Sequence, residues 1–170
     1  MPATGKEGFA IENKVKLTFH PDFANEAELL KEKLATIHGL EVVSEAPVTV
    51  YLDYLPERET AVNGEYYRID TGNGLINISA STSHGIFNGT QTLLSLLKGQ
   101  EKPFRLEALS IRDYPDLPYR GQMLDIARNF TTVEHLKKLV DVISSYKLNV
   151  LHFHFSDDEA GVWRVPGLEE

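Results

Sequence analysis

Cysteine is absent from this chain of 170 residues, which excludes disulfides and thiolate metal sites but leaves the compartment open. Long apolar runs are missing as well. No stretch approaches the roughly 18 residues that a membrane-crossing helix needs. Basic residues are in the minority, 17 Lys and Arg against 25 Asp and Glu, for a net charge of −8. A nucleic-acid surface would lack its usual electrostatic footprint, and an anionic membrane surface is excluded on the same ground. The opening residues, Met1 to Glu7, carry no apolar core of an export signal. That leaves an intracellular protein, or an exported one whose leader lies ahead of this numbering; the expected location is periplasmic or extracellular. What is present is ordinary for a globular chain, with 42% hydrophobic and 25% charged residues. The length suits one domain, or a small domain and part of another.

Periodicity divides the first two thirds of the chain into short elements. Val15, Leu17 and Phe19 alternate with Lys14, Lys16 and Thr18, as in a half-buried strand. After Pro21-Asp22, Ala27, Leu30, Leu34 and Ile37 recur at helical spacing, and Gly39 is placed to cap that helix. Pro47 to Leu52 reads as a second strand. Tyr66–Asp70 and Leu75–Ser79 flank the turn-forming run Thr71-Gly72-Asn73-Gly74 and predict a hairpin. A second helix is expected from Ser83 to Lys98, with Gly99 ending it, and a strand from Phe104 to Arg112. The order β-α-β-β-β-α-β predicts an α+β sandwich over residues 1–115, its helices on one face of a largely antiparallel sheet.

Asp113-Tyr114-Pro115-Asp116-Leu117-Pro118 breaks both periodicities and marks a boundary. Beyond it, Gly121–Ile126 reads as a strand and Thr131-Thr132-Val133-Glu134 has capping-box spacing. Val133, Leu136, Val140, Ile143 and Tyr146 form a stripe expected to be buried on a helix. Leu148–Phe155 is a nearly continuous apolar strand, as in a parallel sheet covered on both sides. Residues 116–170 therefore predict the opening strand, helix and strand of an α/β fold, most simply a (β/α)8 barrel. A whole barrel needs roughly 200 residues or more, so a truncated one is expected.

In such a barrel the chemistry sits where strands end. His152 and His154 share one strand face, and Asp157, Asp158 and Glu159 follow at the strand exit. Arg120 precedes one strand, Arg128 follows it, and Trp163 is the only tryptophan. Each has a plain alternative: a hydrogen-bonded core histidine, a solvated capping loop, an ordinary ion-pair partner, a core tryptophan. The His-x-His pair also admits a zinc site, although no other ligand cluster accompanies it.

Together these residues are more specific than they are singly. Tyr119-Arg120-Gly121-Gln122-Met123-Leu124-Asp125-Ile126-Ala127-Arg128-Asn129-Phe130 resembles the first barrel strand of glycoside hydrolase family 20. Tyr146-Lys147-Leu148-Asn149-Val150-Leu151-His152-Phe153-His154-Phe155-Ser156-Asp157-Asp158 resembles that family's next strand. Upstream, His84-Gly85-Ile86-Phe87-Asn88-Gly89-Thr90-Gln91-Thr92-Leu93-Leu94 is similar to a helix of its N-terminal companion domain, and Asp113-Tyr114-Pro115 to its interdomain junction.

The resemblance implies hydrolysis of terminal β-linked N-acetylhexosamine from glycans by substrate-assisted retention, an exception to the usual two-carboxylate scheme. The substrate's acetamido oxygen attacks the anomeric carbon, an aspartate orients that group, and an adjacent glutamate protonates the leaving oxygen. No cofactor is implied. By the same resemblance Arg120 would hold ring hydroxyls, and Asp157 would support the catalytic acid through a histidine later in the chain. Asp125, Arg128, His152, His154 and Trp163 would support the pocket wall. The catalytic Asp-Glu pair belongs to a later strand, so Asp158-Glu159 is not that pair, and residues 1–170 alone are expected to be inactive. The implied partners are the glycan and the remainder of the barrel. Two other readings stay open: a non-catalytic interaction or glycan-binding module, and a metal-dependent barrel hydrolase using His152 and His154.

Overall fold

The computed structural model describes residues 5–56, 59, 61–128, 131–157 and 160–161. The chain divides into two compact units, Met1–Asp116 and Leu117–Glu170.

In the first unit a small antiparallel pair joins β1 (Phe9–Ile11) to β7 (Phe104–Leu106). A six-stranded sheet holds β2 (Lys14–Phe19), β3 (Glu41–Val43), β4 (Thr49–Tyr54), β5 (Tyr67–Gly72), β6 (Leu75–Ala80) and β8 (Ser110–Asp113). Their order across the sheet is β3-β2-β4-β6-β5-β8. Helices α1 (Ala24–His38) and α2 (Ser83–Leu97) complete the unit. The α+β class holds, but the sheet is mixed rather than largely antiparallel. β3, β2, β4 and β6 pair in parallel, and β5 runs against both β6 and β8. The cause is connectivity. A helix between two strands carries the chain back to its starting end, so β3 after α1 runs parallel to β2, and β8 after α2 runs the same way as β6.

Local sequence explains the element ends. Gly39 closes α1 in the left-handed region at φ 60°, its N–H reaching Ala35 O at 3.1 Å while Leu40 N reaches Leu34 O at 3.0 Å. The hairpin turn is narrower than the sequence suggests. Only Asn73 (φ 54°) and Gly74 (φ 77°) leave the strands, the two-residue turn whose twist matches antiparallel strands. The expected strand 104–112 divides in two around Thr71, which is fully buried. Its hydroxyl donates to Glu107 O at 2.5 Å and accepts from Leu109 N at 3.1 Å.

The core lies between one sheet face and the helices. Val50, Leu52, Ile69, Ile76 and Ile78 from the strands meet Leu30, Leu34, Ile86 and Leu93. α2 packs unusually close to the hairpin. A Cβ on Gly85 would stand 2.5 Å from Tyr66 O, and one on Gly89 would stand 2.5 Å from Ile78 Cγ2. Behind them the Tyr67 hydroxyl joins Thr92 Oγ1 at 2.7 Å and donates to Asp113 Oδ2 at 2.5 Å, binding helix, hairpin and last strand together.

The second unit is built on β9 (Gly121–Asp125), α3 (Val133–Ser145) and β10 (Val150–His154). β9 and β10 are parallel, and a short antiparallel pair, β11 (Ser156–Asp157) and β12 (Ala160–Gly161), follows. The N-cap of α3 is Thr132, whose hydroxyl accepts from His135 N at 3.3 Å, one residue later than the capping-box spacing suggests. The stripe expected to be buried is not. Val133, Val140 and Tyr146 are 60%, 46% and 71% exposed, and among the described residues none of α3 is buried. Two strands offer too little surface to cover a helix face. Leu136, Leu139 and Ile143 are half-buried.

Candidate active site

The register of the two parallel strands decides which side chains share a face. His152 lies opposite Met123, and His154 opposite Asp125. Strand alternation puts Met123, Asp125, His152 and His154 on one face and Leu124, Leu151 and Phe153 on the other. The first face is polar toward the strand ends; the second carries Gln122 opposite Leu151 and is otherwise apolar. In α/β enzymes built on parallel strands, the residues that do chemistry sit where the strands end.

Asp125 organises the exit from β9. Its Oδ1 accepts from Ala127 N at 3.0 Å and Arg128 N at 3.1 Å, capping the turn that follows the strand. Its Oδ2 lies 3.5 Å from Arg128 Nη1. Ile126 N bonds His154 O at 3.1 Å, which extends the pairing one step past the strand. Asp125, Arg128 and His154 therefore gather at one end, with the backbone of Asp157 leaving β10 at the same end. The Arg128 side chain is 59% exposed, against 24% for Asp125. A guanidinium beside a carboxylate, where two parallel strands end, can grip vicinal hydroxyls through its fork of donors.

Arg120 is elsewhere. It precedes Gly121, at the opening end of β9, and the five-residue strand holds it roughly 17 Å from the other end at about 3.3 Å per residue. Its Nε donates to Lys147 O at 2.8 Å and its Nη1 to Leu117 O at 2.7 Å. Arg120 and the exit of β10 toward Asp157 thus belong to opposite ends of the pair. Of the other residues singled out in the sequence, His152 is exposed and His154 half-buried. Trp163, Asp158 and Glu159 lie outside the described residues, as does the side chain of Asp157. Among the described residues no three His, Asp or Glu side chains are grouped as metal ligands. Asn149, which frames the opening end of the pair, was not singled out in the sequence; its signal was the single polar residue at the head of an apolar strand.

Two family models cover nearly the whole chain in order. The one described as glycosyl hydrolase family 20, domain 2 matches residues 2–114, and the one described as the catalytic domain of that family matches residues 117–168. The chain belongs to glycosyl hydrolase family 20.

Family 20 relatives agree in sequence and in fold. An N,N'-diacetylchitobiase of Vibrio harveyi is 34% identical over 139 residues, 80% of this chain and 15% of the relative. A β-hexosaminidase of Porphyromonas gingivalis is 32% identical over 82% of this chain and 19% of its own length. Among solved structures, a GH20 exo-β-N-acetylglucosaminidase from Vibrio harveyi in complex with N-acetylglucosamine superposes with a TM-score of 0.79 and 32% identity. That alignment covers 99% of this chain and 27% of the other. A GH20 β-N-acetylhexosaminidase from Streptomyces coelicolor gives 0.73 and 28%, over 95% of this chain and 34% of its own. The chain therefore spans less than a quarter of these curated relatives and about a third or less of the solved chains.

Proposed function

We propose that residues 1–170 are the leading portion of a β-N-acetylhexosaminidase that removes terminal β-linked N-acetylhexosamine from glycans by substrate-assisted retention. The observation that carries this reading is the ordered pair of family 20 matches, domain 2 followed by catalytic domain. In this reading residues 1–115 are the companion domain. Residues 116–170 open a (β/α)8 barrel, with β9 and β10 as its first two staves.

The geometry supports a division of labour within those staves. Arg128 is the guanidinium that meets the sugar hydroxyls at the mouth, oriented by Asp125, with His154 beside them and Asp157 supporting the acid from the next loop. His152 belongs to the pocket wall. Arg120 is withdrawn from the sugar. Trp163 packs in the loop that follows. The acid and the acetamido-orienting aspartate come from a later strand. An exported location, periplasmic or extracellular, belongs to the same reading, since glycans with free termini are met there. No helix among the described residues is long and apolar enough to cross a membrane.

The test is hydrolysis of an aryl β-N-acetylglucosaminide by residues 1–170 and by the same residues continued through a complete family 20 catalytic domain. The reading expects turnover only from the longer polypeptide. Absence of turnover from that polypeptide, on both gluco- and galacto-configured aryl glycosides, would overturn it.

A further inference from the structure

The opening end of the β9–β10 pair carries more specific bonding than a strand start requires. Arg120 and Asn149 face each other there. The Asn149 side chain accepts from Arg120 N at 3.0 Å through Oδ1 and donates to Pro118 O at 2.8 Å through Nδ2. Arg120 O in turn accepts from Asn149 N at 3.0 Å and Val150 N at 3.3 Å. The Arg120 side chain then spans both connections, reaching Lys147 O on one side and Leu117 O on the other. Lys147 is held at φ 59°, a left-handed conformation that a non-glycine residue adopts at a cost of about 1 kcal/mol. Arg120 Nε holds the carbonyl of that residue.

Parallel strands have no hairpin turn to fix their register, because the connection is a whole crossover helix. A two-stranded sheet is marginal by itself, and a slip of one residue turns every side chain to the other face. Here such a slip would put Phe153 or Leu151 where His154 and His152 now stand. Something must specify register, and Arg120 and Asn149 make directional bonds across the pair at its opening end.

We infer that Arg120 is a positioning residue: with Asn149 it locks β9 and β10 in register at their opening end, and thereby sets Asp125 and Arg128 against His154 at the other end. The inference rests on the functional reading only for the meaning of that far end. The guanidinium suits the task because its planar fork holds two carbonyls at fixed angles, which an ammonium cannot do.

The chain has no cysteine, so introduced thiols report register without interference. In the 170-residue chain, Met123→Cys with His152→Cys marks the native register, and Met123→Cys with Phe153→Cys marks a one-residue slip. A short thiol cross-linker should join the first pair in high yield and the second poorly. Adding Arg120→Ala should lower the first yield at least fivefold and raise the second. Adding Asn149→Ala should act in the same direction, and Arg120→Lys should not restore the native ratio. Native yield and ratio in Arg120→Ala would overturn the inference. If Arg120→Ala loses both cross-links, Arg120→Lys decides: a shifted ratio supports the lock, and a native ratio refutes it. No substrate enters this assay, so its failure leaves the hydrolase reading standing, and an inactive extended polypeptide leaves the lock untouched.

Discussion

Arg120 and Arg128 stand at opposite ends of strand β9, one before Gly121 and the other beyond Asp125. Eight positions apart in sequence, they meet different surroundings. The first is bonded to backbone carbonyls of Lys147 and Leu117, the second lies beside the carboxylate of Asp125 and is largely exposed. In the proposed function Arg128, at the end where Asp125 and His154 gather, is the arginine that meets the sugar.

The close seat of α2 on the hairpin predicts that its glycines are not interchangeable with alanine. At Gly85 a Cβ would stand 2.5 Å from Tyr66 O and 2.7 Å from Ala80 Cβ. Alanine gains about 1 kcal/mol of helix propensity over glycine. Overpacking against the Tyr66 carbonyl at Gly85, or against the buried Ile78 and Tyr67 side chains at Gly89, costs about 1–3 kcal/mol or more. We expect Gly85→Ala and Gly89→Ala each to lower stability in urea unfolding, with the steric cost outweighing the propensity gain. Stabilisation of either variant would show that the helix has room to lift.

Tyr67 supplies a second check on the same junction. Burial pushes its hydroxyl pKa well above the usual tyrosine value, reinforced by the bond to Asp113. Tyr67→Phe removes one hydroxyl and leaves Thr92 and Asp113 without that partner. The expected loss is about 1–2 kcal/mol, the usual size for a partly buried hydrogen bond. Equal unfolding midpoints for the two proteins would mean that the three groups are held by packing alone.

Much of this was legible in the sequence, and the failures have identifiable causes. Alternation and helical spacing placed both helices and the principal strands of the first unit, and Gly39 and Asn73-Gly74 announced their ends. Sheet direction is not legible from the hairpin, because two helical crossovers oblige parallel re-entry. The stripe of α3 is apolar but not buried, since periodicity reports what a helix can cover, not how much surface is there to cover it. Strands as short as β1 and β3 have too few residues for alternation to register. The end of β9 at which each arginine lies was written in the sequence, because Arg120 precedes the first strand residue and Arg128 follows the last.

His38 predicts a pH dependence. It ends α1, is 8% exposed, packs edge-on against Phe104 and bonds the Leu94 backbone of α2. Its Nε2 is buried with no hydrogen-bond partner among the described residues. Burial lowers its pKa in the folded chain below the usual value of about 6.5 that it regains on unfolding. The unfolded chain therefore binds the proton first. The contribution of His38 to stability is complete above the unfolded value. It diminishes as pH falls below about 6.5 and levels off below the folded value. Unfolding midpoints from pH 8 to 5 should fall more steeply for the native chain than for His38→Gln, which keeps a donor but does not titrate. Parallel curves would contradict this.

The central claim is that the mouth of the site lies at the Asp125 end of the strand pair. Its most direct test is steady-state kinetics on an aryl β-N-acetylglucosaminide, using residues 1–170 continued through a complete family 20 catalytic domain and comparing Arg128→Ala with Arg120→Lys. A charge-assisted hydrogen bond lost from the sugar is worth about 1.5–3 kcal/mol, or roughly tenfold to a hundredfold. Arg128→Ala should lower kcat/KM by at least that factor while leaving the unfolding midpoint nearly unchanged. Arg120→Lys should lower the midpoint and reduce kcat, while the molecules that keep the native register leave KM close to native. The reverse pattern, with KM raised by Arg120→Lys and untouched by Arg128→Ala, would contradict the account.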